Sequence, residues 1–296
     1  MASHIERPTV INRRHAPLSY RQRQRIQWII IGAFMWTLAI LFVLPFAWML
    51  ISSLKREIDV FSFPMKWLPD PIVWQNYLTV WTGDHPLTLY FGNSIIVAVA
   101  RVVGELLTAS LAAYGFARLR FRGRDVLFLF YISTLIIPGQ LLLVPRFLMF
   151  QQMGLYDTLW ALILPGIFTA LGTFLLRQFF ITIPQELSDA ARIDGASEWR
   201  IYWRIILPLA KPVLASLAIL AFVWSWNDYE TPLIMLTSEH NFTIPLGLTS
   251  YMDESGGFTA SLIMAGATSS LLPIIAVFLF MQRQFIQALA RSGLKG

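Results

Sequence analysis

The chain has 296 residues, 56% of them hydrophobic and only 14% charged, with a net charge of +6 and a mean hydropathy of +0.59. Soluble domains carry about 25% charged residues, and a soluble fold of this size could not hide so much apolar surface, so the composition points to a membrane protein. Cysteine is absent, which excludes disulfides, thiolate metal sites and cysteine nucleophiles. His4, His15, His85 and His240 are scattered, without the paired spacing of a zinc site.

In chain order, an Arg-rich segment at 1–27 precedes six apolar stretches, at 28–51, 89–113, 126–145, 159–180, 212–231 and 262–281. Each reaches the roughly 20 residues that a helix needs to cross a bilayer. The expected fold is therefore all-α and polytopic, with six transmembrane helices in 28–281 and a short tail at 282–296. The first stretch is too long for a signal-peptide core and no small-residue cleavage site follows it, so it reads as a retained span. Pro45, Pro138, Pro165 and Pro273 fall within or beside these stretches, where neighbouring helices can satisfy freed carbonyls.

The cations set an orientation. Arg7, Arg13, Arg14, Arg21, Arg23 and Arg25 precede the first span; Arg118, Arg120, Arg122 and Arg124 follow the second; Arg177, Arg192, Arg200, Arg204 and Lys211 lie between the fourth and fifth; Arg283, Arg291 and Lys295 close the chain. The opposite side has Lys55, Arg56, Lys66 and Arg146. The positive-inside rule then places both termini and 184–212 in the cytoplasm and loops 52–88, 146–158 and 232–261 outside. The positive charge thus reads as orientation, not as a nucleic-acid surface. Arg101 stands inside the second span with Glu105 one turn later, a spacing that lets them pair on one face. A charge there serves either a pathway or a structural lock between helices.

Between the fourth and fifth spans runs PQELSDAARIDGASEWRIYWRIILPLAKP, residues 184–212. Pro184 suits the start of a helix, and Leu187, Ala190, Ala191 and Ile193 supply a small apolar side. Asp194-Gly195 breaks the run, glycine allowing a left-handed turn. A second helix begins near Ser197 or Glu198, with Trp199, Tyr202, Ile205 and Ile206 on one face. Periodicity alone leaves two readings: a helix lying on lipid headgroups, or an element docking into a groove on another protein.

Asp189-Ala190-Ala191, then Asp194-Gly195-Ala196, continuing through Ile205-Ile206-Leu207-Pro208 to Pro212, resembles the EAA loop of ABC-importer membrane subunits. Asp189 departs from the family's Glu and keeps the charge on a shorter arm. Asn93-Ser94, Ala113-Tyr114-Gly115-Phe116-Ala117-Arg118, Arg122-Gly123-Arg124, Trp226-Asn227-Asp228-Tyr229 with Pro232-Leu233, and the terminal Ser292-Gly293-Leu294-Lys295-Gly296 look like the carbohydrate-uptake branch, that of the smaller maltose-transporter membrane subunit. The match covers about residues 28–296.

The resemblance implies a type I importer permease whose cytoplasmic coupling helix, between the fourth and fifth spans, docks on a dimer of separate ATPase subunits. Its coupling positions would be Glu186, Asp189, Ala190, Ala191, Asp194, Gly195, Ala196, Leu207 and Pro208. It implies a homologous second permease subunit, an extracytoplasmic solute-binding protein meeting the outer loops, and a bacterial or archaeal cell membrane. The expected cargo is a sugar or oligosaccharide, with glycerol phosphate or another small polar solute as the alternative. Asn227, Asp228, Tyr229, Arg101 and Glu105 are the candidates for a substrate path or gate.

No G-x-x-x-x-G-K-[ST] phosphate loop occurs, so the chain itself is expected to hold no ATP; ATP and Mg would sit on the partner ATPases. No G-x-S-x-G elbow or triad order argues for an enzyme. An ion-coupled secondary transporter is the rival of another class; it would carry inverted repeats and several buried acids, whereas Glu105 alone lies deep in a span.

Overall fold

The computed structural model describes residues 20–252 and 259–293. Helices follow one another as α1 (Tyr20–Ser53), α2 (Glu57–Val60), α3 (Gln75–Thr82), α4 (Leu87–Arg118), α5 (Arg124–Ser133), α6 (Leu143–Gln152), α7 (Leu159–Gly166), α8 (Ala170–Thr182), α9 (Gln185–Ile193), α10 (Glu198–Ile201), α11 (Leu207–Leu209), α12 (Lys211–Trp226), α13 (Glu230–Met235), α14 (Ile244–Gly247) and α15 (Ala260–Gly293). Among the described residues there is no β-strand, so backbone groups are satisfied chiefly within helices and turns, as lipid requires. Two compact units result, Met1–Trp48 and Met49–Gly296. In the first, α1 presents Trp28, Ile31, Phe34, Trp36, Ile40 and Phe42 outward, an apolar surface all round.

In the second unit α4 is the hub. It packs against α7, α8, α12, α14 and α3 along its length. Small residues let neighbours close in: a side chain at Gly104 would collide with Ile167, and one at Gly166 would collide with the Arg101 side chain. One core cluster, at the Arg118 end of α4, joins Ala109, Ala113 and Tyr114 to Leu176, Phe180, Ile201, Tyr202 and Ile206. Another, at the Leu87 end, joins Leu87, Tyr90 and Ala98 to Trp226, Ile244 and Ala265.

Gln24–Ser53, Leu87–Arg118, Leu159–Thr182 and Ala260–Phe280 are long and apolar enough to cross a membrane. Two bent pairs, Arg124–Ile136 with Gly139–Gln152 and Glu198–Leu209 with Lys211–Trp226, bring the number to six only if each pair is one span. The third expected span, 126–145, is thus not a straight helix. Pro138 has no N–H and holds Ile137 in extended backbone, and the chain turns by 93° there. The fifth ends at Trp226 instead of 231, because Asn227–Tyr229 break the helix. The fourth is interrupted between Gly166 and Ala170, where Thr108 donates to the carbonyl of Ile167 and Tyr131 to that of Thr169 at 3.1 Å. Arg7, Arg13 and Arg14 of the N-terminal segment and Leu294–Gly296 of the tail lie outside the described residues.

Candidate coupling surface and mid-span charge cluster

The 184–212 block folds as two short helices joined by a capped turn. Gly195 has φ +77°, its N–H bonds to Arg192 O at 3.0 Å, and Ala196 N–H bonds to Ala191 O at 2.9 Å. That pair of bonds is the Schellman pattern, and Ala191 and Ala196 supply its apolar contact by packing on the same core. Ser197 Oγ then accepts from Arg200 N at 3.4 Å, capping α10. A Cβ at Gly195 would meet nothing in this chain, so within the chain its φ is what calls for glycine.

The block is tied to α4 by polar bonds. Tyr114 Oη donates to Glu198 Oε2 at 2.6 Å, and Tyr202 Oη pairs with Ser110 Oγ at 2.8 Å. Arg118 donates to Gln185 Oε1 at 2.6 Å within the block, and to Phe180 O at 2.8 Å and Ile183 O at 2.6 Å just before it. Arg192 bridges Asp189 at 2.6 Å and Glu198 at 2.7 Å. Hydrogen bonding from Arg192, aided by Tyr114 against the opposing effect of burial, holds the Glu198 carboxyl below its ordinary range. The same contacts raise the Arg192 guanidinium.

The inner face is Ile201, Tyr202 and Ile206, all buried, with Ile205 and Leu207 partly so. Trp199, expected on this face, is exposed. Tyr202–Ile206 form a π-turn, whose extra residue rotates the helix on its N-terminal side relative to the helix on its C-terminal side. Glu186, Leu187, Asp189, Ala190, Asp194 and Pro208 are exposed, and Ile193 is 87% exposed. The small apolar side of α9 is therefore split: Ala191 faces inward, and Leu187, Ala190 and Ile193 form an outward face interleaved with acids.

The expected Arg101–Glu105 pair does not form. Arg101 passes over Gly166 and places Nη1 3.0 Å from Asp228 Oδ2. Glu105 instead accepts from Thr169 Oγ1 at 2.5 Å, at the break between α7 and α8. The helix break after α12 brings a carboxylate closer to Arg101 than the same-helix neighbour. Asp228 uses its other oxygen to accept from Thr231 N at 3.2 Å, opening α13. Asn227 donates to Val223 O at 2.8 Å and is exposed, as is Tyr229. The structure thus joins Arg101 and Asp228 directly and leaves Asn227 and Tyr229 at the surface beside them.

Sequence reasoning missed Arg146, counted there only as a loop cation. It lies on the half-buried stripe of α6 with Leu143, Phe147 and Phe150, within electrostatic range of both Arg101 and Asp228. The i, i+3, i+4 spacing of Leu143, Arg146 and Phe147 was the available signal. At the Leu87 end of α4, Glu239 accepts from Tyr90 and contacts His85 Nδ1 at 2.6 Å. Among the described residues no group of His, Cys, Asp or Glu could hold a metal.

A helical chain with broken apolar spans around one central helix, and a capped helical hairpin at one end of it, has the fold of an ABC-importer permease. It superposes with TM-score 0.79 and 24% identity, over 91% of this chain and 100% of the other, on a chain of a bacterial ABC transporter involved in import of the acidic polysaccharide alginate. The chain belongs to the family described as binding-protein-dependent transport system inner membrane component, whose model matches residues 105–291. It is 33% identical to the arabinooligosaccharide transport system permease AraQ of Halalkalibacterium halodurans, over 92% of this chain and 97% of that protein. It is 36% identical to the sn-glycerol-3-phosphate transport system permease UgpE of Yersinia enterocolitica, over 86% and 92% respectively. It is a multi-pass transport subunit of the inner membrane.

Proposed function

We propose that this chain is the permease subunit through which an ATP-driven importer moves a sugar or oligosaccharide. The solute is delivered by an extracytoplasmic binding protein, and the 184–212 block transmits movement from a pair of separate ATPases. The observation that carries the reading is the block's build: an inner face bonded to α4 and an outer face of Leu187, Ala190 and Ile193 with Glu186, Asp189 and Asp194 exposed around them. Apolar residues left exposed together on the tip of a short helix fit a protein groove. A carbohydrate cargo is supported by the relatives that bear arabinooligosaccharides in their names. Glycerol phosphate remains the second reading, supported by the 36%-identical relatives named for it.

In this reading a homologous second permease completes the pathway, and ATP and Mg belong to the ATPases. Segments 1–27 and 282–296 and the block face the cytoplasm, while Arg101, Asp228 and their neighbours border the path. ATP-driven closure of the partners displaces the block, and because the block is bonded to α4 the displacement passes into the spans. Such a change is driven only as far as each ligand discriminates between the two states.

Gly195→Val tests the docking. Valine at φ +77° costs on the order of 1–3 kcal/mol locally and puts bulk where this chain leaves space. The expected result is normal membrane level with lost ATPase association or lost stimulated hydrolysis. Normal assembly, hydrolysis and uptake would remove the coupling role.

A further inference from the structure

The segment between α1 and α3 is built the wrong way round for a loop in water. Two of its charged groups, Lys55 and Asp59, are turned inward, while Arg56, Glu57, Lys66 and Asp70 stay exposed. Lys55 is fully buried and donates to Lys66 O at 2.5 Å. Asp59, also buried, binds Lys66 Nζ at 2.5 Å and Arg56 Nε at 2.7 Å. Asn76 donates to Ser53 O at 2.8 Å and Lys55 O at 2.9 Å, and Val73 N bonds to Leu54 O at 2.9 Å. On this polar base the apolar side chains stand outward: Phe63 is 100% exposed, Ile58 75% and Leu68 72%, with Met65, Ile72, Trp74 and Leu78 exposed beside them. An exposed apolar patch held on a fixed base marks a surface that meets something apolar.

Two apolar spans end at this segment. It starts directly after Ser53, the last residue of α1, whose hydroxyl contacts Tyr77 Oη at 2.8 Å. Glu57 caps the first turn of α15, its carboxylate accepting from Ala260 N at 2.9 Å and from Ser261 N and Oγ at 2.8 Å. The segment therefore lies level with the point where α15 enters the apolar layer, at the end of the helical assembly opposite the 184–212 block. Its charge is also suited to headgroups. Arg56 and Lys66 are both half-exposed at the patch, each paired on one side with Asp59; Glu57 is engaged at α15, and Asp70 is exposed as well.

We infer that residues 58–74 form a rigid interfacial float. Phe63, Ile58 and Leu68 enter the boundary between headgroups and acyl chains, and Arg56 and Lys66 face lipid phosphates. The occupant of this surface is the bilayer, not a protein. Amphipathic segments bury their apolar face about 5–10 Å into that boundary, and Trp67 and Trp74 sit where aromatic residues gather at membrane interfaces. The float would fix the depth of the Ser53 and Ala260 ends of α1 and α15 while the opposite end of the molecule is moved by its partners.

The test uses the absence of cysteine. Phe63→Cys and, independently, Leu68→Cys are labelled with bimane in the assembled complex, held in nanodiscs of phosphatidylethanolamine and phosphatidylglycerol. The expected result is quenching by lipids carrying a doxyl group near the glycerol end that exceeds quenching by aqueous iodide by about threefold, with no change when solute-binding protein is added. Quenching mainly by iodide would place the segment in water and overturn the inference. Quenching by neither reagent, or loss of lipid quenching when binding protein is added, would mean that a protein covers the patch, and would overturn it equally.

Discussion

Arg101 and Asp228 lie 127 positions apart and meet at 3.0 Å. A guanidinium in an apolar span is tolerated when a carboxylate or water receives it, and here the helix break at 227–229 supplies the carboxylate. Removing one partner leaves the other charge stranded at low dielectric, whereas removing both is far milder. Asp228→Asn is expected to lower stability by less than the ~3–5 kcal/mol of a fully buried pair, since both side chains are about a fifth exposed, read as a lower Tm of the purified complex. The double variant Arg101→Gln with Asp228→Asn is expected to regain most of that loss. Uptake measured on the stabilised double variant separates the roles: recovery assigns the pair to architecture alone, and continued loss assigns it to the path.

At the scale of elements, α4 and the 184–212 block are joined by polar bonds and a shared core. The Tyr114–Glu198, Arg118–Gln185 and Tyr202–Ser110 bonds cross between them over a shared apolar core. Tyr114→Phe removes one bond and no volume. It is expected to preserve association with the ATPases while lowering binding-protein-stimulated hydrolysis about tenfold, the equivalent of one charge-assisted hydrogen bond. Unchanged stimulation would show that this bond carries no movement. This outcome is separable from failed docking, which Gly195→Val reads as lost association. Acid should act on the same link. The Glu198 carboxyl is held low in the folded chain, so its contribution is complete above the ordinary carboxylate range and disappears as pH falls through the lowered value. Glu198→Gln should flatten the acid limb of the Tm profile; an unaltered limb would count against this link.

For the whole molecule, the distribution of Lys and Arg predicts which side faces the cytoplasm. Single cysteines at Ser197, in the block, and Ser250, near the Leu87 end of α4, should behave oppositely toward an impermeant thiol reagent added to intact cells. Ser250→Cys is expected to react and Ser197→Cys to be protected. The reverse pattern would invert the topology and place the block outside, where no ATP-driven partner could reach it.

Local chemistry determined much of this protein from the sequence alone. Composition established the membrane class, because apolar content of this degree has no soluble solution. Glycine after Asp194 and serine at 197 marked the turn and the next helix start, because both act through backbone within a few residues; the structure has φ +77° at Gly195 and a capping bond at Ser197. What depends on distant chain was decided only by tertiary structure. The partner of Arg101 could not be read from i, i+4 spacing, since spacing proposes neighbours on one helix and says nothing of a carboxylate arriving from another. Pro138 was legible as a weak point, but a 93° turn there reflects where α6 packs, against α13. Trp199 is exposed while Ile201, Tyr202 and Ile206 are buried, a choice of face set by the core they share with α4 and α8. The apolar surface of 58–74 was legible only as part of outer loop 52–88. Burial of Lys55 and Asp59 beneath it depends on α3, whose Asn76 binds Lys55 O, and on α15, which packs on α2, and that arrangement belongs to the fold, not to any stretch of the chain.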